Sequence, residues 1–264
     1  MPRFAANLTM LFNESPFLER FALAKACGFS AVEFLFPYAF SAVEIQKELK
    51  THDLKLVLHN LPPGDWDAGE RGIGCLPDRV DEFKAGVTKA IEYAKALGVN
   101  HLNCLAGIAP IGVDRKILHQ TFISNLQYAC AELEKANLTL LIEPINTFDI
   151  PGFFLSGTAQ GINIINEVGA ANLKLQYDIY HAQRMEGELA NTILNNLQHI
   201  GHIQIADNPG RHEPGTGEIH YDFLFEYLDQ IGYQGWIGCE YKPLQRTEDG
   251  LGWIKKYLTS TKVS

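Results

Sequence analysis

Four oxygen-bearing side chains close, or nearly close, apolar runs in the second half of the chain. They are Glu143 in LLIE, Asp178 in LKLQYD, Gln204 in HIQIAD and Glu240 in WIGCE. If these side chains meet, their three carboxylates repel one another, because like charges a few ångströms apart in a low dielectric cost several kcal/mol. A bound cation relieves that repulsion. All-oxygen ligands suit a hard divalent ion, so the pattern predicts a site for Mg²⁺ or Mn²⁺.

Each of the four residues also has a structural interpretation that the sequence leaves open. A single Glu or Asp at a strand end often caps a helix or pairs with a loop arginine, and a single Gln is often a satisfied polar group. Zinc is a poorer candidate for the site, since it prefers His or Cys among its ligands. The ligand interpretation therefore depends on whether the four residues share one place in the fold.

The spacing of the four residues indicates which elements would bring them together. They follow one another at steps of 35, 26 and 36 residues, and 264 residues divided by eight gives 33. That is the size of one strand, one helix and two loops in a (β/α)₈ barrel of about 250 residues, whose active site lies at the carboxyl ends of the strands. We therefore predict the α/β class and a single (β/α)₈ TIM-barrel domain over residues 1–264, with the four side chains on one rim.

Strand-length apolar runs alternate with helical patterns along the chain. The predicted strands are residues 4–8, 31–36, 54–59, 99–105, 138–143, 173–178, 201–207 and 235–240, and helices are predicted between them, for example at 189–198 and 247–257. Ser41 and Asp114 are typical helix N-caps, and Gly98 is a typical C-terminal stop. The alternation favours a parallel sheet closed into a barrel. An open doubly wound sheet is the alternative, but its G-x-G-x-x-G signature is missing after the first strand.

A long loop, residues 60–78, follows the third predicted strand. It is rich in Gly, Pro and Asp and contains the string DWDAGERG. Loops beyond about 12–15 residues without secondary structure of their own are uncommon unless they are functional. We expect this loop to be a lid over the site, with aromatic side chains such as Trp66 in its roof, although aromatics at strand ends are often only core.

Four further residues are candidates for substrate binding. His59 ends the third predicted strand, and His181 follows Asp178 in YDIYH, where it either binds a substrate oxygen or simply starts a helix. Arg211 and His212 lie in the turn-rich loop DNPGRHEPGTG, where they either clamp a substrate carboxylate or belong to a solvated turn.

The composition excludes several classes of partner. The net charge is −9 and no block of Lys or Arg occurs, so a nucleic-acid backbone would be repelled. Five cysteines without a C-x-x-C pair argue against a disulfide framework and favour the cytoplasm. No run approaches 18 apolar residues, and the polar N-terminal stretch is too short for a signal peptide, so we expect no membrane association and no export.

Several long strings of the chain resemble the hydroxypyruvate isomerase family, within the xylose-isomerase-like barrel superfamily. They are RFAANLTMLF, VEFLFPY, LHNLPPGDWDAGERGIGCLP, LIEPIN followed by FDIPGF, LQYDIYHAQRMEGELANT, HIQIADNPGRHEPGTGEI and GWIGCEYKP. The resemblance runs nearly end to end. It implies that Glu143, Asp178, Gln204 and Glu240 are metal ligands, that Glu143 and Glu240 are the proton donor and acceptor, and that the protein forms a homo-oligomer.

The implied reaction interconverts hydroxypyruvate and tartronate semialdehyde through an enediolate. A proton leaves a carbon beside a carbonyl and returns on the neighbouring carbon, while a chelating cation holds the two adjacent oxygens. Glutamates beside that cation suit the roles of base and acid. The expected partner is a small hydroxy-oxo acid, and no nicotinamide, flavin or pyridoxal cofactor is required.

Four alternatives to this reaction remain open. The start of the chain and GWIGCEYKP are also similar to the sister family of 2-oxo-tetronate isomerases, and a ketose or sugar-acid epimerase could use the same site. A barrel that only binds sugar acids would not exchange substrate protons with solvent. A DNA-repair endonuclease of the related multi-zinc type would have a basic groove and a histidine-rich rim, which the charge and the oxygen-only quartet oppose.

Overall fold

Eight parallel strands form a closed barrel in chain order, with the first strand paired to the last. The computed structural model describes residues 1–258. The strands are β1 Arg3–Asn7, β2 Ala31–Glu33, β3 Lys55–Asn60, β4 His101–Cys104, β5 Thr139–Ile142, β6 Leu173–Asp178, β7 Ile200–Ile205 and β8 Trp236–Cys239. The predicted (β/α)₈ barrel is therefore confirmed.

Helices follow the strands around the outside of the barrel. They are α1 Arg20–Ala26, α2 Ala42–Thr51, α3 Val80–Leu97, α4 Arg115–Glu134, α5 Thr158–Val168, α6 Ile179–Met185, α7 Leu189–Asn196, α8 Tyr221–Gln230 and α9 Lys255–Leu258. Within the described residues, no helix has both the length and the apolar character that a membrane span needs.

The helix boundaries follow the capping residues that the sequence offers. Ser41 forms a capping box with Glu44 at the start of α2, and the Asp114 side chain accepts a hydrogen bond from the Lys116 N–H at the start of α4. Gly98 ends α3 with a φ of 71°, a conformation that suits glycine. Local hydrogen bonding therefore sets where the chain turns back toward the barrel.

Three elements differ from the sequence-based expectation. The second strand ends at Glu33 rather than at residue 36, because the Leu35 N–H donates to the Thr9 hydroxyl instead of continuing the ladder. The helix α6 corresponds to the alternative in which His181 starts a helix, but it begins earlier, at Ile179, directly after Asp178, whose side chain caps it. The last predicted helix is a 3₁₀ helix over Thr247–Ile254 before it becomes α9.

The strand register sets the level of the predicted ligands. Asp178 pairs with Gln204, and Gln204 pairs with Gly238, two residues before Glu240. Glu143 and Glu240 each come directly after the last residue of a strand. Because all eight strands are parallel, these four side chains lie at the same end of the barrel, as predicted.

Candidate active site

A buried cluster of acidic groups lies at the carboxyl ends of the strands. Glu143, Asp178, His181 and Glu240 each offer one ligand atom, and these atoms all lie within 4.8 Å of one another. The cluster borders a cavity of about 280 Å³ whose lining includes Glu143, His181 and Glu240. A cavity of this size suits a small metabolite.

Glu143 is held by one neighbour and strained electrostatically by two others. Asn103 Nδ2 donates to Glu143 Oε2 at 2.9 Å. Burial raises the pKa of Glu143 well above its usual value, and the negative charges of Glu240 and Asp178 raise it further. This carboxyl therefore binds a proton readily when no cation is near.

Asp178 has two oxygens with different roles. Its Oδ1 caps α6 and accepts hydrogen bonds from the N–H groups of Tyr180, at 2.7 Å, and His181, at 3.3 Å. Its Oδ2 is buried and has no hydrogen-bond partner among residues 1–258. Burial raises the pKa of Asp178 even though Arg211 opposes the rise. Both interpretations from the sequence, helix cap and ligand, thus fit this one residue.

Glu240 accepts two hydrogen bonds across the barrel mouth. Arg211 Nη2 donates to its Oε2 at 2.7 Å, and Asn7 Nδ2 lies 3.4 Å from its Oε1. Burial raises the pKa of Glu240 from 4.5 to about 8, although the Arg211 charge lowers it. Glu240 therefore pairs with a loop arginine, which is the structural interpretation that the sequence left open for an acidic residue at a strand end.

Gln204 is oriented by a carboxylate below the cluster. Its Nε2 donates to Glu33 Oε1 at 2.8 Å, and its Oε1 accepts from Gln176 Nε2 at 2.6 Å. A carboxylate only accepts hydrogen bonds, so Glu33 fixes which end of the Gln204 amide faces it. The carbonyl oxygen keeps a second lone pair, which is available to a cation.

The donor set fits a divalent cation. Three buried carboxylates with raised pKa lie together, and Asp178 Oδ2 is a buried acceptor without a partner among the described residues. Arg211 neutralises part of this charge, since its Nη2 lies 2.7 Å from Glu240 Oε2 and 3.8 Å from Asp178 Oδ2. A cation at the cluster would restore all three groups to their anionic form.

Arg211 is aimed at the cluster by an ordered loop. Its backbone has a φ of 57°, which is uncommon for a residue with a side chain. The Asp207 carboxylate holds the loop, because Oδ2 accepts from the N–H groups of Gly215 and Gly217, each at 2.9 Å. Arg211 lines the cavity, as predicted, but its guanidinium already pairs with protein carboxylates.

His181 is held in one tautomer by Asn146. Asn146 Oδ1 accepts from the N–H groups of Phe148, at 3.1 Å, and Asp149, at 2.8 Å, so its Nδ2 faces the other way. This Nδ2 lies 2.7 Å from His181 Nδ1, and an amide nitrogen only donates. The ring proton therefore sits on Nε2. Burial lowers the pKa of His181 well below its usual value, so the ring is a neutral donor aimed at the cluster.

Two predicted binding residues lie elsewhere. The His59 ring packs edge-on against Tyr38 at 6.1 Å, and its Nδ1 lies 3.0 Å from the Asn60 carbonyl oxygen. The His212 Nδ1 donates to the Lys242 carbonyl oxygen at 2.7 Å and ties two loops together. Asn60 and Lys242, not their histidine partners, are among the residues that line the cavity in the described chain.

Sequence reasoning missed several residues that shape the site. Asn7, Asn103 and Asn146 hold Glu240, Glu143 and His181 respectively. Asn7 and Asn103 are amides within apolar strands, the same signal that identified the quartet, so both could have been found from it. Asn146 lies four residues after the end of β5 and carries no such signal. Arg71 and Lys242 line the cavity from loops. The length of the loop at residues 60–78 indicated that it is functional but did not single out Arg71, and no pattern marks Lys242.

Comparison with known proteins gives close and distant relatives. Hydroxypyruvate isomerase of Escherichia coli is 56% identical over 97% of this chain and 100% of its own, and the 2-oxo-tetronate isomerase of Cupriavidus necator is 50% identical over 98% and 99%. A Brucella melitensis structure described as AP endonuclease, family 2, is 48% identical with a TM-score of 0.95, covering 97% and 99% of the two chains.

A more distant structure shares the fold alone. It is an Escherichia coli 3-keto-D-glucoside 4-epimerase, 20% identical over 97% of this chain and 99% of its own, with a TM-score of 0.81. A family model described as xylose isomerase-like TIM barrel matches residues 21–257. This chain therefore belongs to the xylose isomerase-like TIM barrel family.

Proposed function

We propose that this protein is an isomerase that interconverts hydroxypyruvate and tartronate semialdehyde. The observation that carries the proposal is the pair Glu143 and Glu240, both buried at one cavity and both with a raised pKa. Two buried carboxyl groups that face one cavity, and whose pKa is raised by burial, are placed to accept a proton from a substrate and to return it. The 56% identity to a protein named hydroxypyruvate isomerase supports the choice of substrate.

The reaction needs only the movement of protons. One glutamate accepts a proton from C3 of hydroxypyruvate, which leaves an enediolate with oxygens on C2 and C3. A proton is then delivered to C2, the hydroxyl proton leaves the oxygen on C3, and the oxygen on C2 becomes a hydroxyl group. Substrate and product have the same atoms, so no oxidant or reductant is consumed.

The neighbouring residues have defined parts in this scheme. His181 presents its Nε2–H toward Glu143 and Asp178, where it donates to a substrate oxygen that gains negative charge. Arg211 keeps Glu240 oriented through the 2.7 Å hydrogen bond and adds positive charge beside it. We leave His59 and His212 out of the scheme, since each is engaged outside the cavity.

We propose a divalent cation, Mg²⁺ or Mn²⁺, as the cofactor. Its ligands would be Glu143, Asp178, Gln204 and Glu240. When bound, such an ion supplies Lewis-acid polarisation of the substrate oxygens. The raised pKa values of the three carboxyls and the unpartnered Asp178 Oδ2 support this assignment among the described residues.

A 2-oxo-tetronate isomerase is the second candidate, because a relative of that name is 50% identical over nearly the full length. The two functions use the same proton chemistry and differ in one carbon of the substrate. Steady-state assays of the pure protein with hydroxypyruvate and with 2-oxo-tetronate separate them. We expect the larger kcat/KM for hydroxypyruvate; a larger value for the four-carbon acid would support the second candidate, and no turnover of either would contradict both.

An endonuclease function is disfavoured, although one similar structure carries that description. The chain has a net charge of −9, and a protein that binds DNA gains its affinity from neutralising phosphates with Lys and Arg. The cluster has three carboxylates and a single histidine, which is held as a donor. These features suit a small oxygen-rich substrate better than a nucleic acid.

Three further assignments are proposals. We propose that residues 1–264 form one domain, because the barrel uses strands from residue 3 to residue 239. We propose the cytoplasm as the location, since all five cysteines are free and four are buried. A homo-oligomer stays a family-level expectation.

A further inference from the structure

The cavity carries positive charge that the acidic cluster does not use. Three basic side chains line it, namely Arg71, Arg211 and Lys242. Arg211 is committed to Glu240 at 2.7 Å and lies near Asp178 and Asp149 as well. The other two come from separate loops, and neither forms an ion pair with a residue in the 1–258 range.

Arg71 is fixed in place by its own loop, residues 60–78, which follows β3. Its guanidinium stacks over the Trp66 ring at 4.1 Å, and its Nη1 donates to the carbonyl oxygens of Trp66, at 2.9 Å, and Glu70, at 2.7 Å. The adjacent carboxylate of Glu70 points away, since it pairs with Arg79. The fork of Arg71 therefore keeps donors that no described carboxylate satisfies.

The loop that carries Arg71 is itself seated firmly on the barrel. Gly72 has a φ of 103°, and a Cβ at this position would lie 2.4 Å from the Leu105 carbonyl oxygen. Only glycine permits so close an approach. Arg71 is thus presented to the cavity from a fixed backbone rather than from a free surface chain.

Lys242 lines the cavity from the loop that follows β8, two residues after Glu240. Its backbone N–H donates to the Arg211 carbonyl oxygen at 2.8 Å, and its carbonyl oxygen accepts from His212 at 2.7 Å. The backbone is therefore pinned on both sides. The ammonium group has no hydrogen-bond or ion-pair partner within the described part of the chain, so its charge is available to a ligand.

We propose that Arg71 and Lys242 form a subsite for the substrate carboxylate, which makes the enzyme specific for hydroxy-oxo acids over neutral ketoses. This inference rests on the proposed function and names its substrate class. The proton transfer requires only a hydroxyl group beside a carbonyl. The substrate carboxylate takes no part in it and is therefore free to be bound by a separate subsite. It is attracted by Arg71 and Lys242, the two cations of the cavity lining that have no ion-pair partner among residues 1–258.

The sequence-based assignment of Arg211 and His212 to the carboxylate is replaced by this pair. Arg211 already serves Glu240, and His212 serves a backbone carbonyl. The substrate carboxylate is still bound by positively charged side chains, but these are now Arg71 and Lys242, whose donors are free to bind it.

A binding experiment tests the subsite without turnover. Glycerate and glycerol differ only by a carboxylate in place of a hydroxymethyl group, and each is titrated calorimetrically into the intact protein with Mn²⁺ present. We expect glycerate to bind more tightly than glycerol to the unmodified protein. Arg71→Gln and Lys242→Gln should each weaken glycerate binding about 10-fold and together about 100-fold, because each removes a charge-assisted hydrogen bond.

The matched control is Lys47→Gln, which removes an exposed lysine on α2 outside the cavity. It should leave both affinities unchanged, and thermal melts should show that all variants stay folded. Arg71→Lys keeps the charge but loses the planar fork, so it should fall between Arg71→Gln and the unmodified protein. Unchanged glycerate affinity in the double variant, or no preference for glycerate in the unmodified protein, would overturn the inference.

Kinetics separate this inference from the proposed function. Dihydroxyacetone is the neutral counterpart of hydroxypyruvate, and its isomerisation gives glyceraldehyde. The double variant should lose about 100-fold in kcat/KM for hydroxypyruvate and little for dihydroxyacetone. If hydroxypyruvate is not turned over at all while glycerate binding still depends on Arg71 and Lys242, the subsite stands and the proposed function fails. If hydroxypyruvate turnover is normal in the double variant, the subsite fails and the proposed function stands.

Discussion

Asn146 decides which nitrogen of His181 carries the proton. In Asn146→Asp, one carboxylate oxygen still accepts from the backbone, but the other can only accept from His181 Nδ1. We expect the ring proton to move to Nδ1 and kcat to fall about 100-fold, as for other losses of a positioned donor. Nitrogen-15 NMR of histidine-labelled protein reads the tautomer directly, with Asn191→Asp on the surface as control. An Nε2–H signal unchanged in the variant would contradict this assignment.

Glu143 combines a catalytic role with an electrostatic cost. Glu143→Gln keeps the hydrogen bond with Asn103 possible but removes a buried ionisable group near Glu240 and Asp178. We expect kcat to fall by about 10³-fold, since a proton acceptor is lost. We also expect the metal-free variant to melt at a higher temperature than the unmodified protein at alkaline pH, because the amide cannot ionise beside Glu240 and Asp178. Glu240→Gln should lose similar activity but gain less stability, since Arg211 then loses its anionic partner.

Turnover near the unmodified rate in either variant would remove the two-glutamate scheme. A fall in melting temperature for metal-free Glu143→Gln would show that the negative charges are not the dominant cost in the cluster. Calorimetric melts in the presence of a chelator measure this directly.

At the level of the elements, Glu33 links β2 to its neighbour β1 and, across the barrel interior, to β7. Its carboxylate accepts from Asn7 Nδ2 at 3.0 Å, His202 Nε2 at 2.7 Å and Gln204 Nε2 at 2.8 Å. Gly238 on β8 leaves the room it occupies, since a Cβ there would lie within 2.2 Å of Glu33 Oε1. Glycine is therefore needed at this position because a larger residue would collide with the buried carboxylate, and not because of its backbone conformation.

Gly238→Ala should displace Glu33 and disturb all three hydrogen bonds. We expect a loss of about 3 kcal/mol in the free energy of unfolding, because a buried carboxylate is left poorly satisfied. Urea unfolding measures the loss. Gly252→Ala is the control, since a Cβ there meets nothing within 4 Å. Equal stability of the two variants would contradict the role of Gly238.

The elements also show what the sequence could predict about the site. Strand ends are encoded locally, so Glu143, Asp178 and Glu240 were identified from apolar runs alone and lie together as expected. The partner of Arg211 was not encoded locally. It depends on the positive φ of Arg211 and on the Asp207 carboxylate that holds the loop, and neither can be predicted from hydrophobic periodicity. The roles of Arg71 and Lys242 likewise depend on how two loops meet over the barrel.

Local ambiguity explains the remaining differences. Asp178 was open to interpretation as a helix cap or as a ligand, and its two oxygens divide those roles. His59 closes a predicted strand as Glu143 does, but it is the last residue but one of β3, and its ring contacts Tyr38 outside the cavity. A strand that is apolar on both faces does not show from its sequence which residues point into the barrel.

For the whole molecule, the carboxyl cluster makes stability depend on pH in the metal-free protein. Burial raises the pKa of Glu240 from 4.5 to about 8, so the folded state holds this proton more tightly than the unfolded state. The stabilisation from that proton is fully present below about pH 4.5 and is lost as the pH rises through about 8. Melting temperatures measured across this range with a chelator should therefore decline more steeply for the unmodified protein than for Glu240→Gln.

Added Mg²⁺ or Mn²⁺ should reverse the decline at high pH, because a cation binds the ionised ligands and releases their protons. An equal pH slope in the unmodified protein and in Glu240→Gln would argue that this carboxyl titrates at its ordinary value.

The most direct test of the proposed isomerase is proton NMR of hydroxypyruvate in D₂O. We expect the C3 protons to exchange with deuterium and tartronate semialdehyde to form, with Mg²⁺ or Mn²⁺ required for both, and neither to occur with Glu143→Gln or Glu240→Gln. Product formation without any deuterium from the solvent, at a rate that both variants share, would contradict proton transfer by the two glutamates.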